Sequence, residues 1–343
     1  MNGCNLAIVG ATGAVGQVFL GILEARPFPL KRLSLFASKR SVGKRIKVRG
    51  EEVEVREVTP GCFDGVDIAF ISVSSQVSKE LAPLAVRSGA LVIDDSSAFR
   101  MEKDVPLVVP EINAEDLQHH KGIVAIPNCS TTQMVMALYP IHRVNPIKRI
   151  VVDTYQSVSG TGRAAMEELK QQTEALLRNG EYASKVYPHP IGFNLFPHID
   201  SFLANGYTRE EWKMVEETRK IMHAPNIAIS ATCVRVPVYI SHSEAVHIEL
   251  TRPMSVQEAR ETLATFPGVQ VVDDVASNSY PTPIRAAGRD EVFVGRIRQD
   301  ASHPNGLAMW VVSDNLRKGA ALDAIQIAEE VLSRRLLLSL HGR

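Results

Sequence analysis

A single cysteine lies in a stretch of the chain whose residue types suggest catalysis, Pro127-Asn128-Cys129-Ser130-Thr131-Thr132. It follows a predicted strand and begins a predicted helix, where backbone N–H groups and the helix dipole stabilise a thiolate. A buried structural cysteine is the usual alternative, but polar residues flank Cys129 on both sides. Cys129 is therefore predicted to be a nucleophile, whereas Cys4, Cys62 and Cys233 lack such surroundings and are interpreted as structural.

Three other segments carry side chains that could assist this thiol. A strand beginning near Cys233 runs into a turn that ends at His242, whose imidazole could exchange protons with the thiol and with a developing oxyanion. Gln156 to Gly162 ends another strand, so its amide could orient an acyl group and its Ser-Gly backbone could contact a nicotinamide. Arg100 follows a strand end and suits a phosphate. Their structural alternatives are an ordinary histidine, a helix cap and a surface arginine.

A glycine-rich turn, Gly10-Ala11-Thr12-Gly13-Ala14-Val15-Gly16, follows the first predicted strand and begins the first predicted helix. Glycines there permit a tight turn and close approach of the backbone to a pyrophosphate. The second strand ends in Ala37-Ser38-Lys39-Arg40-Ser41, without the acid that usually binds the ribose of NAD. Arg40 and Ser41 instead suit a 2′-phosphate, which predicts NADP; a solvated basic loop is the alternative.

The elements that position these residues follow from the apolar pattern. Short buried strands alternate with helices in the first third of the chain, which predicts an α/β fold with a Rossmann-like, doubly wound parallel sheet. Its strands are predicted at 5–9, 33–37, 67–73, 91–94, 107–109 and 123–125, with a helix over 13–24. An α+β substrate and dimerisation domain with a mixed sheet is predicted to follow, with strands at 149–156, 227–238, 246–250, 269–272, 292–298 and 307–312.

The same pattern predicts the domain organisation. Helices are expected over 163–177 and from the capping box at Thr208, and an irregular loop over 187–202. Asp314-Asn315 is predicted to cap a final helix that runs to about Leu338. The expected division is an NADP-binding domain over 1–128, completed by the C-terminal segment 314–343, and a catalytic and dimerisation domain over 129–313.

Composition narrows the function classes. Among 343 residues, Lys+Arg and Asp+Glu are equal at 38 each, so no net charge draws the protein to nucleic acid or to an anionic membrane. No apolar run approaches the ~20 residues that span a bilayer, and the N-terminus does not resemble a signal peptide. The cysteines show no metal-ligand spacing. A cytoplasmic enzyme without a metal is expected.

The chain resembles the bacterial aspartate-β-semialdehyde dehydrogenase family along essentially its whole length. The resemblance is carried by these motifs, in order: GATGAVG, ASKRS, DDSSAFR, PNCSTTQ, QSVSGTG, EEWKMVEETRKI, RVPVYISHSE and DNLRKGAA. It implies NADPH-dependent reduction of L-aspartyl-4-phosphate to L-aspartate 4-semialdehyde with release of phosphate. This reaction belongs to lysine, diaminopimelate, threonine, methionine and isoleucine biosynthesis. The resemblance also implies a homodimer or homotetramer.

The resemblance further implies a role for individual residues. Cys129 would form the thioester, Gln156 would position the substrate, and His242 would be the acid/base. Arg235 would bind the α-carboxylate and Glu210 the α-ammonium group. The residues implied in phosphate binding are Arg100, Lys213 and Asn128. Those implied in NADP binding are Gly10, Thr12, Gly13, Ala14, Val15, Arg40, Ser41, Ser159, Gly160 and Asn315.

Some positions depart from the family pattern or leave alternatives open. The family often has Gly before His-Ser-Glu, where this chain has Ile240-Ser241, so a small adjustment of the turn is expected. Glu210 and Lys213 could instead be an ordinary solvated i,i+3 pair. The rival activities are those of N-acetyl-γ-glutamyl-phosphate reductase, whose substrate has no free ammonium group for Glu210, and of glyceraldehyde-phosphate dehydrogenase. The non-enzymatic rival is a catalytically silent paralogue.

Overall fold

The structure is a computed structural model that describes residues 3–337. Its strands are β1 Cys4–Val9, β2 Leu30–Phe36, β3 Arg45–Val48, β4 Glu51–Arg56, β5 Ile68–Ile71, β6 Leu91–Asp94, β7 Ile123–Ala125, β8 Ile147–Gln156, β9 Ala228–Arg235, β10 His242–Leu250, β11 Val269–Val271, β12 Val292–Gln299 and β13 Gly306–Ser313. Its α-helices are α1 Ala14–Ala25, α2 Ser75–Arg87, α3 Pro110–Asn113, α4 Cys129–Val144, α5 Arg163–Leu177, α6 Arg209–Ile221, α7 Val256–Ala264, α8 Pro283–Ala286 and α9 Leu322–Ser333. Short 3-10 helices are Lys39–Ser41, Ala114–His119 and Val158–Thr161.

The chain forms two compact units, and the first is discontinuous. It runs to Pro127 and resumes at Ala320, whereas the second is Asn128–Gly319. The seven strands of the first unit have the order β3-β4-β2-β1-β5-β6-β7, and neighbours from β4 to β7 are parallel. Leu6 and Ile8 enter one core with α1 and α9, while Ala7 and Val9 enter another with α2. Burial of both faces confirms the doubly wound fold.

An antiparallel edge hairpin, β3–β4, was absent from the prediction. Its two strands carry many charged residues, so they lack the continuous apolar pattern that marked the central strands. Arg49 and Gly50 connect them with φ values of 50° and 86°, the positive values that a tight two-residue hairpin turn requires. Charged residues are typical of a sheet edge, where they discourage pairing with other chains.

The predicted strand at 107–109 was wrong. The three residues are buried, but only Leu107 forms an isolated bridge, with Ala125. Two backbone bonds to β7 remain, since Val108 N donates to Ala125 O at 3.1 Å and Ala125 N donates to Pro106 O at 2.8 Å. Asn113 bonds to two other groups: its Oδ1 accepts from Val109 N at 2.9 Å and its Nδ2 donates to Leu107 O at 2.8 Å. The run therefore pairs with β7 only in part, and a polar side chain is the partner of its Leu107 carbonyl and Val109 N–H groups.

The second unit contains the predicted mixed sheet, in the order β11-β12-β13-β10-β8-β9. β8 pairs parallel with β9 and antiparallel with β10, which pairs antiparallel with β13. Alternate residues of β8 and β10 are buried on one face, where α4 packs. The opposite face is partly exposed and carries the contacting rings of Tyr155 and Trp310, with centroids 5.3 Å apart.

The predicted start of the final helix was wrong. After β13, Asp314 Oδ1 accepts from Leu316 N at 2.9 Å, a π-helical turn covers Arg317–Ala321, and α9 begins at Leu322. The α-helix ends at Ser333, and the predicted end at Leu338, like residues 338–343, lies outside the described residues. Among residues 3–337, no helix is both long and apolar enough to cross a membrane.

Candidate active site

The glycine-rich turn of the first unit lies between β1 and α1, as predicted. Gly10 has φ +93°, and a Cβ there would lie 2.2 Å from Ser72 O; a Cβ on Gly16 would lie 2.3 Å from Gly10 O. Only glycine therefore fits this turn. Gly13 is the N-cap of α1 and provides no side-chain cap, and the first turn contains no acidic residue. The turn and the uncapped helix start fit the pyrophosphate of a dinucleotide.

The predicted 2′-phosphate residues follow β2 in the first unit. Thr12 Oγ1 donates to Ser41 Oγ at 3.1 Å, so the end of β2 and the glycine-rich turn meet. Arg40 is exposed in the 3-10 helix Lys39–Ser41. The exposed guanidinium thus belongs to the residue directly before Ser41, which contacts the glycine-rich turn.

Arg100 also belongs to the first unit and lies beyond the end of β6. It is 7% exposed, and its NH2 donates to Asp95 O at 3.0 Å. Burial raises the pKa of Asp95 to about 6, although the hydrogen bond from Ser72 Oγ and the Arg100 cation act in the opposite direction. The guanidinium is therefore positioned by a backbone carbonyl beside a carboxyl group that is easily neutralised.

In the second unit, Cys129 is the first residue of α4. Its predecessor Asn128 is the N-cap, and Asn128 Oδ1 accepts from Ser130 N at 2.9 Å. The first turn of α4 contains no acidic residue and the last turn contains the Arg143 cation, an arrangement that the helix dipole favours. Burial lowers the pKa of His142 in that last turn, so its imidazole adds no charge near neutral pH. None of the four cysteines forms a disulfide, and burial raises the pKa values of Cys4, Cys62 and Cys233. Those three thiols stay protonated near neutral pH.

Glu210 contacts three of the predicted site residues. Its Oε1 accepts from Asn128 Nδ2 at 2.9 Å and from Gln156 Nε2 at 3.1 Å, and its Oε2 lies 3.0 Å from Lys213 Nζ. Burial alone would raise the pKa of Glu210, but the Lys213 cation and the two amide donors outweigh it and lower the pKa to about 2. Glu210 is 5% exposed and ionised, so the alternative of a solvated surface pair does not apply.

The sheet of the second unit brings three other predicted residues to one end. Gln156 ends β8 and is paired in register with Arg235 at the end of β9. His242 begins the antiparallel β10, rather than ending a turn, and Ser243 is paired with Tyr155, the neighbour of Gln156. Gln156, Arg235 and His242 are all at most 4% exposed.

Arg235 is a buried cation. Its NH1 donates to Ser157 O at 2.5 Å. Within residues 3–337, its Nε lacks a hydrogen-bond partner and no carboxylate forms an ion pair with its guanidinium. A buried charge without a counter-ion is unfavourable unless a ligand supplies one. This arrangement suits an anionic ligand such as a carboxylate.

His242 is held in one neutral form. Ser157 N donates to its Nδ1 at 3.0 Å, so the ring proton lies on Nε2. Burial, reinforced by the Arg235 cation, lowers the pKa of His242 to about 3. The ring is fully buried, and Nε2 has no partner among the described residues. The N–H group at Nε2 is therefore able to donate to a substrate atom.

The predicted NADP-binding residues of the second unit, Ser159, Gly160 and Asn315, lie near His242. Asn315 Oδ1 accepts from Ser159 Oγ at 3.0 Å, from Ser157 Oγ at 3.2 Å and from Ser241 N at 3.0 Å. A Cβ on Gly160 would lie 3.3 Å from both Cε1 and Nε2 of the imidazole. The absence of a side chain at this position therefore leaves space beside the ring.

Ser241 occupies the position where the family often has glycine. Its φ is +77°, a left-handed value that L-residues other than Asn and Asp rarely adopt, and the residue is fully buried. The hydrogen bond from Ser241 N to Asn315 holds this conformation. Ser241 thus adopts a left-handed backbone conformation that is more typical of glycine.

Two residues of this region, Glu217 and Gly319, were missed by the prediction. Glu217 Oε2 accepts from Asn128 N at 2.6 Å, and a Cβ on Gly319 would lie 2.6 Å from Cys129 Cβ. Glu217 follows Glu210 by seven residues, a spacing that places both on one helix face and could have revealed it. Gly319 lies in the DNLRKGAA motif, but the motif does not reveal its role, which depends on a contact with a residue distant in the sequence.

The comparisons with known proteins agree with this geometry. The family described as "Semialdehyde dehydrogenase, NAD binding domain" matches residues 5–120, and "Semialdehyde dehydrogenase, dimerisation domain" matches residues 138–318. The aspartate-semialdehyde dehydrogenase of Aquifex aeolicus is 53% identical over 339 residues, which cover 98% of this chain and 100% of that protein.

Solved structures give the same result. Aspartate semialdehyde dehydrogenase II of Vibrio cholerae complexed with ASA has a TM-score of 0.95 and 45% identity, covering 97% of this chain and 99% of that one. The Candida albicans enzyme with NADP has a TM-score of 0.77 and 27% identity, covering 97% and 99%. The chain belongs to the aspartate-semialdehyde dehydrogenase family of enzymes.

Proposed function

We propose that the protein catalyses the NADPH-dependent reduction of L-aspartyl-4-phosphate to L-aspartate 4-semialdehyde and phosphate through a Cys129 thioester. The observation that carries this proposal is the start of α4, where the thiol at the first helical position lies beside an Asn128 that binds the buried Glu210. The relatives named above bear this enzyme's name. The reaction would serve the synthesis of lysine, diaminopimelate, threonine, methionine and isoleucine.

The proposed cofactor is NADP. The glycine-rich turn and the uncapped start of α1 fit its pyrophosphate, and Arg40 and Ser41 would bind the 2′-phosphate. Ser159, Gly160 and Asn315 are the proposed residues for its nicotinamide end. When bound, the nicotinamide supplies a hydride in the reductive direction and takes one in the oxidative direction.

Cys129 carries the acyl group. In the reductive direction its thiolate attacks the β-carbonyl carbon of aspartyl phosphate, a C–S bond forms, and phosphate leaves with the electron pair of the C–O bond. Addition of hydride to the thioester carbon gives an oxyanion. When the carbonyl reforms, the C–S bond breaks and the thiolate is restored. The N-terminal position on α4 stabilises this thiolate as both nucleophile and leaving group.

His242 serves the developing oxyanion as the acid of the site. Its proton lies on Nε2, because Nδ1 accepts from the Ser157 backbone, so the imidazole donates toward the substrate oxygen. The oxyanion forms and collapses without a net proton change, which makes a neutral donor sufficient. A donor fixed before the reaction needs no reorganisation when charge develops.

The remaining residues recognise the rest of the substrate. Arg235 would bind the α-carboxylate, and the ionised Glu210 would attract the α-ammonium group. Gln156, tied to Glu210, would orient the acyl group. Arg100, Lys213 and Asn128 are the proposed phosphate residues; Lys213 already contacts Glu210 and Asp200. Replacing Arg235 by Lys is expected to lower kcat/KM by about 10²–10³.

We further propose that the protein forms a homodimer or a homotetramer. The dimerisation-domain match covers the mixed sheet, and the face with Tyr155 and Trp310 is only partly covered. Multi-angle light scattering of the wild type and of Tyr155→Glu tests this assignment. The substitution should lower the oligomer mass, and an unchanged mass would exclude that face.

The decisive experiment is phosphate-dependent NADP reduction by aspartate semialdehyde. Cys129→Ala should lower the rate by at least ~10⁴-fold, whereas NAD and N-acetyl-glutamate semialdehyde should be poor substitutes for the proposed pair. Cys233→Ala, which removes a buried thiol, is the matched control and should remain active. Full activity of Cys129→Ala would falsify the thioester route.

A further inference from the structure

The irregular loop that follows α5 is fastened to that helix. Glu168 Oε2 accepts from the backbone N–H groups of residues 185 and 186, both at 2.7 Å. One turn later, Gln172 Oε1 accepts from those of residues 191 and 192, at 2.7 and 2.9 Å. Both side chains are at most 6% exposed. Two buried acceptors therefore hold a loop that has no regular secondary structure of its own.

The same loop is also paired with the strand end that carries Arg235. Phe196 N donates to Arg235 O at 3.2 Å, and Arg235 N donates to Phe196 O at 2.9 Å. These reciprocal bonds form an isolated antiparallel bridge. The loop therefore helps to fix the backbone of Arg235, which is paired with β8 on its other side.

Tyr187 lies on this loop and contacts the Arg235 side chain. The guanidinium carbon is 5.7 Å from the centroid of its ring, within the ~6 Å range of a cation–π contact. The ring packs edge-on against Phe196 with centroids 5.5 Å apart, and its hydroxyl donates to Thr161 Oγ1 at 2.9 Å. The tyrosine is thus fixed on the loop while its face is turned to the cation.

We propose that Tyr187 is a positioning residue for Arg235. Its ring and the Ser157 carbonyl together hold the guanidinium plane in the orientation that receives the α-carboxylate of the substrate. This inference rests on the carboxylate-binding role proposed for Arg235. Tyr187 itself acts through Arg235 and takes no part in the transfer of the acyl group.

Loss of the ring has a specific expected consequence. Arginine has many rotamers, and a fixed guanidinium loses less conformational freedom when it binds a carboxylate bidentately. Without the ring the guanidinium samples orientations that do not match the carboxylate. Binding of the amino-acid substrate should therefore weaken, whereas the binding of phosphate and of NADP should not change.

The test compares Tyr187→Leu with Tyr187→Phe. The leucine variant should raise KM for aspartate semialdehyde about 3- to 30-fold, the range of a desolvated cation–π contact. The phenylalanine variant keeps the ring and should stay within about twofold of the wild type, because the lost hydroxyl contact is exposed. KM for phosphate and for NADP should be unchanged in both. Tyr182→Leu, at an exposed tyrosine of the same loop, is the matched control.

Two outcomes would overturn the inference. One is a folded Tyr187→Leu protein with the wild-type KM for aspartate semialdehyde; the other is an equal rise in KM for all three substrates, which indicates a general structural role. Thermal unfolding monitors folding, and Tyr187→Met replaces the leucine variant if that protein does not fold.

Arg235→Lys separates this inference from the proposed function. If it leaves KM for aspartate semialdehyde unchanged, the role of Arg235 itself is wrong. If it raises KM and Tyr187→Leu does not, only the role of Tyr187 is wrong. In the Arg235→Lys background, Tyr187→Leu should have a smaller effect than in the wild type, since the planar partner of the ring is already gone.

Discussion

The helices α1 and α4 both begin near the carboxyl ends of strands, yet their first turns are built in opposite ways. Gly13 is the N-cap of α1 and provides no side-chain cap, and the tight turn before it requires glycine at positions 10 and 16. At α4 the cap is Asn128, which is bound in turn to Glu210 and Glu217. One helix start thus remains available for the charge of a ligand, whereas the other is surrounded by groups of the protein and carries the proposed nucleophile.

The largest expected effect comes from removing the negative charge of Glu210, which lies beside the N-cap of α4. Glu210→Gln keeps the shape of the side chain but loses the anion that Lys213, Gln156 and Asn128 stabilise. A carboxyl group whose pKa falls from 4.5 to about 2 on folding contributes stability that is present above pH 4.5 and is lost as the pH falls toward 2. At pH 7 the variant should lose up to about 3 kcal/mol of its free energy of unfolding.

Urea unfolding between pH 2 and pH 7 measures this effect. The stability of the wild type should rise between about pH 2 and pH 4.5, and that part of the rise should disappear in Glu210→Gln. Glu216→Gln, at a partly exposed site on the same helix, is the control and should follow the wild type. The same pH dependence in both Glu210→Gln and wild type would show that the carboxylate is not stabilised as described.

Placing a charged side chain at the N-cap of α1 should have the next largest effect. Gly13→Asp places a carboxylate at the N-cap, where it competes with the proposed pyrophosphate for the same N–H groups. The Kd for NADP should rise about 100-fold, which corresponds to ~2.7 kcal/mol. Fluorescence titration measures this Kd. Gly21→Asp adds the same charge on an exposed face of the helix and should leave it nearly unchanged.

A smaller effect is expected from the basic residue near the open start. Arg40→Ala should raise KM for NADP about 10-fold, as expected for the loss of one charge-assisted contact with phosphate, and should leave the weaker use of NAD unaffected. Steady-state kinetics with NADP and with NAD give the preference for NADP in the wild type and in the variant. Lys44→Ala, at another exposed cation of the loop, is the control. An equal loss with NAD and NADP would exclude a role in 2′-phosphate recognition.

The smallest effect concerns backbone strain. The open turn uses glycine at its left-handed position, Gly10, whereas the region around His242 uses Ser241. Ser241→Gly should raise the free energy of unfolding by about 0.5–1 kcal/mol, since it relieves the strained φ and removes a buried hydroxyl that lacks a partner among residues 3–337. Ser243→Gly, in the extended strand β10, should instead destabilise by a similar amount. Thermal unfolding of both variants decides the sign.

These two helix starts also show how far the sequence alone could lead. The turn at α1 was predictable because its glycines and the following helix are contiguous, and the thiol at α4 because polar residues flank it. The groups that surround α4 come from α6 and from the π-helical turn, so only folding shows that Glu217 and Gly319 belong with Asn128 and Cys129. Arg235 and His242 lie in a recognisable motif of the sequence. The tautomer of His242, however, depends on the backbone N–H of Ser157, which no sequence pattern reveals.

Errors in the predicted elements have a similar origin. Hydrophobic periodicity locates central strands well, because burial on both faces dictates their composition. It fails for the edge hairpin β3–β4, which carries many charged residues. It also fails for residues 107–109, which pair only in part with β7 while the Asn113 side chain bonds to Leu107 O and Val109 N.

The discontinuity of the first unit has a consequence for the order in which the protein is completed during synthesis. Ala324, Ile325, Ala328 and Val331 of α9 pack in the same core as Leu6 and Ile8 of β1. The ribosome synthesises the residues of β1 near the beginning of translation and those of α9 near its end. The N-terminal sheet therefore leaves the ribosome with one face lacking part of its cover, and it acquires its final core only after the entire second unit has been synthesised.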